Sequence, residues 1–267
     1  MTAGSQGREA PAAQDFWAAL RLTTQSRIGL GRAGDSLPTR HVLELKAAHA
    51  SARDAVHKTL DVEGFAQRVA AVGIGPPVVV TSQAANRSQY LKRPDLGRLP
   101  ADLSELDSAR LESAGRDVGF VLADGLSPRA LADHGVCLLK ALVAELGTRY
   151  SLAPPVIATQ ARVALGDHLA QAMGVSTLLV LIGERPGLSV ADSLGIYLTH
   201  LPRPGCTDAD RNCISNIHPP DGLGYQQAAL VAAGLVEGAR TLGQSGVKLK
   251  DTSRTAPLGP GGGAVLK

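Results

Sequence analysis

The chain has 267 residues, of which 44% are hydrophobic and only 3% aromatic, and it carries a net charge of +3. That length supports one good core plus a smaller domain, and so few aromatics leave the core to Ala, Val, Leu and Ile. The small basic excess forms no stripe with interleaved aromatics, no apolar stretch reaches the roughly 18 residues of a membrane span, and three cysteines without an apolar leader suit reduced thiols; a cytoplasmic protein binding neither nucleic acid nor membrane is expected.

Residues 1–14 are Ala-, Gly-, Gln- and Pro-rich without periodicity and read as a disordered arm. Residues 15–73 form a small helical N-terminal domain by pattern. Phe16, Leu20 and Ile28 mark a first helix. A second starts near Thr39, just after Pro38, with Val42, Leu43, Leu45, Ala48 and Val56 near helical spacing. Phe65, Val69 and Val72 mark a third, and the glycines at 29, 31 and 34 make a loop between the first two.

After Gly75-Pro76-Pro77 the period changes. Strands are expected at Val78–Thr81, Val118–Ala123, Val156–Val163, from Thr177 to Ile182, and at Ile196–Leu201. Helices are expected between them at Pro128–Leu146 and Ala164–Met173, with a last one over Tyr225–Leu242 ending at Gly243. This alternation predicts an α/β domain over 74–250, a mainly parallel sheet with helices on both faces. The Pro- and Gly-rich tail, 251–267, reads as disordered.

In an open α/β sheet, ligands bind beyond the carboxyl ends of the strands. Two polar groups fall there: Gly183-Glu184-Arg185-Pro186-Gly187 and a loop read over Asp210–Asn216. Glu184-Arg185 is either an acid beside a clamp or a surface pair; its place between glycines and a proline at a strand end favours a ligand role. No G-x-G-x-x-G follows the first strand, which excludes dinucleotide binding. Gly187-Leu188-Ser189-Val190-Ala191 only approximates a nucleophile elbow, and a helix N-cap at Ser189 is simpler. His200, Cys206, Asp208, Asp210, Cys213 and His218 lie close in sequence, but lack the compact pairs of a zinc site. The segment Asn86–Asp95 is a polar interface or ligand loop, and Arg27, Arg32 and Arg40 bind an anion or solvate a helix.

Together these motifs resemble the small (light) subunit family of ethanolamine ammonia-lyase. The match rests on Leu-Ile-Gly-Glu-Arg-Pro-Gly-Leu at 181–188 and Asp-Arg-Asn-Cys-Ile-Ser-Asn-Ile-His at 210–218. Tyr-Leu-Lys-Arg-Pro-Asp-Leu-Gly-Arg at 90–98, Ala-Asp-Gly-Leu-Ser at 123–127, Gly-Arg-Ala-Gly at 31–34 and Ala-Arg-Val at 161–163 agree. The resemblance implies an adenosylcobalamin-dependent lyase that converts ethanolamine to acetaldehyde and ammonia. The radical site is then in a TIM-barrel large subunit, with which this chain forms a hetero-oligomer. This chain would be a Rossmann-like domain covering the nucleotide side of the cobalamin at the subunit interface, with no catalytic or metal-ligating residue of its own.

The same resemblance makes Val163, Glu184 and Cys213 cofactor-binding residues. Glu184 would accept a hydrogen bond from a polar edge of the cofactor, and Cys213 would be a soft packing surface. No D-x-H-x-x-G occurs, so the cobalamin is expected to keep its own base as axial ligand (base-on). Some family members carry an amphipathic leader for a bacterial microcompartment; residues 1–13 are too polar and too Pro-interrupted for one. The alternative is a non-catalytic cobalamin-binding or assembly protein.

Overall fold

The computed structural model describes residues 17–104, 106 and 115–251; the arm at 1–14 and nearly all of the tail lie outside the described residues. The chain divides after Ala50 into two compact units. In the first, α1 (Trp17–Arg21) is followed by a glycine loop closed by an Ala33–Ser36 bridge, and α2 (Thr39–His57) begins. Pro38 stands just ahead of α2, where its missing N–H costs nothing, and its carbonyl accepts from His41 N.

The second unit is built on one six-stranded sheet. Its strands are β1 (Val78–Thr81), β2 (Val118–Ala123), β3 (Val156–Thr159), β4 (Thr177–Gly183), β5 (Leu194–His200) and β6 (Asn212–Ile217), in the order β1-β3-β2-β4-β5-β6. The first four in that order are parallel; β5 and β6 add antiparallel. Helices α3 (Val62–Ala70), α4 (Arg87–Lys92), α5 (Pro128–Leu146), α6 (Leu165–Met173) and α7 (Tyr225–Leu242) complete it. The α/β class and the mainly parallel sheet agree with the sequence pattern, and no helix among the described residues is long and apolar enough to cross a membrane.

Alternation divides the side chains of β2 and β4 between two cores. Phe120, Leu122, Leu179 and Leu181 face α3, α5 and α7. Val121, Ala123, Leu178, Val180 and Ile182 face α6. Both faces of these strands are buried, which is why they read as unbroken apolar runs.

Two parts of the sheet differ most from expectation. The third strand stops at Thr159 rather than Val163, because the buried Asp124 carboxylate takes the N–H groups of Gln160 (2.9 Å) and Ala161 (3.0 Å), turning the chain out of the sheet with Gln160 at φ 52°. The Asp210–Asn216 segment is not a loop: it contains most of β6. As an edge strand it buries only Ile214 and Ile217, and a register shift opposite Leu194 and Ile196, with Asn216 at φ 62°, breaks its alternation.

The exit of β4 fits tightly against the β2–α5 turn. Leu126 N donates to Gly183 O at 2.9 Å, Gly125 adopts φ 55°, and a side chain on Gly183 would meet the carbonyls of Ser127 and Asp124. Gly183→Ala is therefore expected to destabilise the fold by about 1–3 kcal/mol, since backbone must move to admit one methyl. Urea unfolding beside wild type checks this; an unchanged midpoint would contradict the packing.

Candidate functional site

A cleft of about 440 Å³ opens at the carboxyl ends of the parallel strands. The sheet brings five segments to it: Tyr90 from α4, Leu126 after β2, Arg162 and Val163 after β3, Ile182 to Arg185 at the end of β4, and Tyr197 of β5. Two of the three expected site residues, Val163 and Glu184, line it. Cys213 is not among the lining residues; it is exposed on β6, directly paired with Tyr197 of β5.

The β1 side of the cleft is built on Tyr90. Asn86 caps α4 by accepting from Gln89 N, so the polar segment read as a loop contains a short helix. Tyr90 is fully buried, and its hydroxyl donates to Ala161 O at 3.0 Å. Two guanidiniums lie over its ring, Arg87 at 4.7 Å and Arg162 at 4.4 Å from the centroid. Arg87 is buried and donates to Val56 O and Gly125 O, while standing 3.7 Å from the Asp124 carboxylate. Burial pushes the Asp124 carboxyl up from its ordinary value, and the N–H groups of Ala161 and Gln160 and the Arg87 charge oppose that. One carboxylate thus fixes both the β3 exit and a cation at the Tyr90 ring.

The opposite wall belongs to Glu184. Its carboxylate accepts from Ser193 Oγ at 2.7 Å and from Asn216 N at 3.2 Å, tying the β4–β5 connection to the far edge strand. It crosses β5 over Gly195, where any Cβ would crowd its Oε1. Among the described residues no ion pair joins Glu184 to Arg185, which is exposed at the rim. Desolvation pushes the Tyr197 hydroxyl up to about 12, with Cys213 and the Glu184 charge adding to it. The Cys213 thiol is also raised, first by desolvation; the Tyr197 hydrogen bond opposes this and the Glu184 charge reinforces it. Cys213 therefore presents a neutral thiol, which suits packing rather than nucleophilic attack.

The other sequence candidates serve the fold. Residues 184–193 connect β4 to β5, so no helix follows Ser189 and there is no nucleophile elbow. His200 bonds Thr177, Asp210 accepts from Thr207, and His218 bonds Asn216; among the described residues no cluster of three His, Cys, Asp or Glu side chains could hold a metal. Arg211, one residue into the long 210–218 motif, is structural. It makes a buried two-pronged pair with Asp167 of α6 at 2.7 and 2.6 Å, and donates to Thr199 Oγ1 and Cys206 O. Sequence reasoning passed over Arg162, Tyr90 and Tyr197. For Arg162 the signal was present in Ala161-Arg162-Val163, of which only Val163 was singled out.

The cleft is apolar at Leu126, Val163 and Ile182, with convergent polar groups at Arg162, Glu184, Arg185 and Tyr197. Its volume falls within the roughly 300–1,000 Å³ of small-molecule sites, and that mixture of linings suits an amphipathic ligand. Arg162 Nε is buried with no hydrogen-bond partner, a donor that a ligand acceptor would satisfy. These features suit one edge of a large amphipathic ligand.

Comparison with known proteins points the same way. Residues 14–250 match the family model described as Ethanolamine ammonia-lyase light chain (EutC). An ethanolamine ammonia-lyase small subunit from Rhodococcus erythropolis is 71% identical over 247 residues, covering 92% of this chain and 94% of the relative. Those from Ralstonia nicotianae and Azotobacter vinelandii are 45% and 44% identical, covering 98% and 95% of this chain and 97% and 95% of theirs.

Proposed function

We propose, since the chain belongs to the ethanolamine ammonia-lyase light-chain family, that it is the small subunit of a cytoplasmic ethanolamine ammonia-lyase and binds adenosylcobalamin at its interface with a TIM-barrel large subunit. The observation that carries this reading is the convergence of Val163 and Glu184 on one cleft at the strand ends, with Cys213 beside Tyr197 on the neighbouring strand. When bound, adenosylcobalamin supplies an organic radical by homolysis of its cobalt–carbon bond. This chain's residues contribute binding and orientation. Val163, Leu126 and Ile182 form an apolar floor that excludes water. Glu184 offers a carboxylate already fixed by Ser193 and Asn216, so little side-chain entropy is lost on meeting a ligand donor. Tyr197 adds a protonated hydroxyl at neutral pH.

In this reading the cofactor remains base-on. Asp133-His134 and Asp167-His168 both lack the spacing of an Asp–His ligand motif; His134 bonds Tyr225 and Asp167 is engaged by Arg211. Ethanolamine turnover is expected to be absent with this chain and adenosylcobalamin alone, and restored by adding the matching large subunit. Turnover by this chain alone, or none from the mixture, would overturn the proposal.

A further inference from the structure

The described part of the first unit, residues 17–50, has no buried side chain. Helix α1 buries nothing, and the one buried residue of α2, Ala55, lies past the end of the unit. Yet this segment is not merely polar. Trp17, Leu20, Leu22, Leu37 and Leu43 are exposed, five of the eleven exposed large apolar side chains among the described residues. Exposed apolar residues scattered singly need no explanation, but such a concentration in one short coreless stretch marks a surface that another surface covers. The shape that displays them is fixed locally. Arg21 donates to Gly29 O at 2.6 Å, Ala33 and Ser36 exchange backbone hydrogen bonds at 2.8 and 3.2 Å, and Gly29, Gly31 and Gly34 take positive φ.

Charge is concentrated in the same place. Residues 17–50 hold five Arg or Lys against two Asp or Glu, so they carry all of the chain's net charge of +3 and the remaining residues balance. One of the two acids, Glu44, is bonded to His41 Nδ1 at 2.9 Å. Arg32, Arg40 and Lys46 are exposed and interleaved in sequence with the apolar residues. We propose that residues 17–50 are the surface by which this chain docks on the large subunit, and that the facing surface of the large subunit is an apolar patch with an acidic rim. The inference rests on the small-subunit reading above and adds to it the place and chemistry of the contact. Buried leucines at the centre supply affinity, and opposite charges around them steer and orient the encounter. A second copy of this chain fits less well, because it would bring like charges together.

The test measures the affinity of the full chain for the immobilised matching large subunit by biolayer interferometry, with circular dichroism to check each variant's fold. Leu22→Asp and Leu43→Asp are each expected to weaken association about tenfold. Arg32→Glu combined with Lys46→Glu should also weaken it about tenfold, and should flatten the loss that wild type shows as salt rises from about 0.1 to about 1 M. Leu230→Asp, at an exposed leucine of α7, should leave affinity unchanged. Unchanged affinity in the leucine variants of residues 17–50, or an equal loss from Leu230→Asp, would overturn the docking surface; if one of the two leucine variants unfolds, the other decides. Weakened leucine variants beside an unaltered charge variant would overturn the acidic rim. Self-association, or binding to phosphatidylglycerol vesicles, that Leu22→Asp abolishes while large-subunit affinity stays intact would assign the surface to another occupant and overturn the proposal. Failure of wild type to bind the large subunit at all would remove the small-subunit reading instead.

Discussion

Asp167→Ala lowers the stability of the fold by about 3–5 kcal/mol, the usual cost of leaving one charge of a buried pair without its partner. The pair is almost completely enclosed, with side-chain exposures of 2% for Arg211 and 1% for Asp167. Arg211 meets Asp167 with both terminal nitrogens, and the same nitrogens reach Thr199 and Cys206. Removing the carboxylate leaves a guanidinium that can neither reach water nor lose its proton. Arg211→Met combined with Asp167→Ala should cost less than Asp167→Ala alone, since no buried charge remains. It should not be neutral, because Thr199 and Cys206 lose a donor. Chemical denaturation of wild type, the single and the double variant measures this. A single-variant loss below about 1 kcal/mol would mean that the pair is solvated and does not hold α6 to the edge strand.

If the proposed site is right, Glu184→Ala is expected to weaken cobalamin binding about ten- to a hundredfold, corresponding to about 1.5–3 kcal/mol for a lost hydrogen bond to a charged group. The carboxylate also bonds Ser193 and Asn216, so some loss of stability accompanies the change. Affinity and stability therefore have to be read separately. Glu184→Gln keeps the shape and one acceptor and should lie between in affinity. Turnover at saturating cofactor should change much less than affinity, since Glu184 is proposed to hold the cofactor away from its reacting bond. Titration of cobalamin into the reconstituted complex gives the affinity, and thermal unfolding gives the stability. Equal affinities with reduced stability would leave Glu184 a purely structural tie between β4 and β6.

The parallel half of the sheet was legible in the sequence because burial on both faces writes itself as apolar runs. Val118–Ala123 and the helices Pro128–Leu146 and Tyr225–Leu242 have the bounds that the pattern predicts. The edge was not legible. Asn212–Ile217 has one buried face, a register shift and a residue in the left-handed region, so neither apolar content nor alternation marks it. At the site, Glu184 was visible because glycines and a proline isolate it at a strand end. Arg162 and Tyr90 were not, because their importance comes from stacking on one another across more than 70 positions of chain. Arg211 sat in the most distinctive motif, yet works away from the cleft; a motif's residues share a segment, not a purpose.

The register of β1 has a consequence for how the protein is made. Val78 pairs with Val156, roughly 80 residues later in the chain, and β1 pairs with no other strand among the described residues. At roughly 5–20 residues per second of synthesis, a finished Val-Val-Val-Thr segment waits roughly 4–16 s for its only neighbour. Such a β-branched segment is a template for wrong pairing with another chain during that wait. Pro76 and Pro77 stand directly before it, and neither has an N–H to offer a passing strand. The two prolines that mark the start of the α/β pattern thus also guard its slowest strand against aggregation.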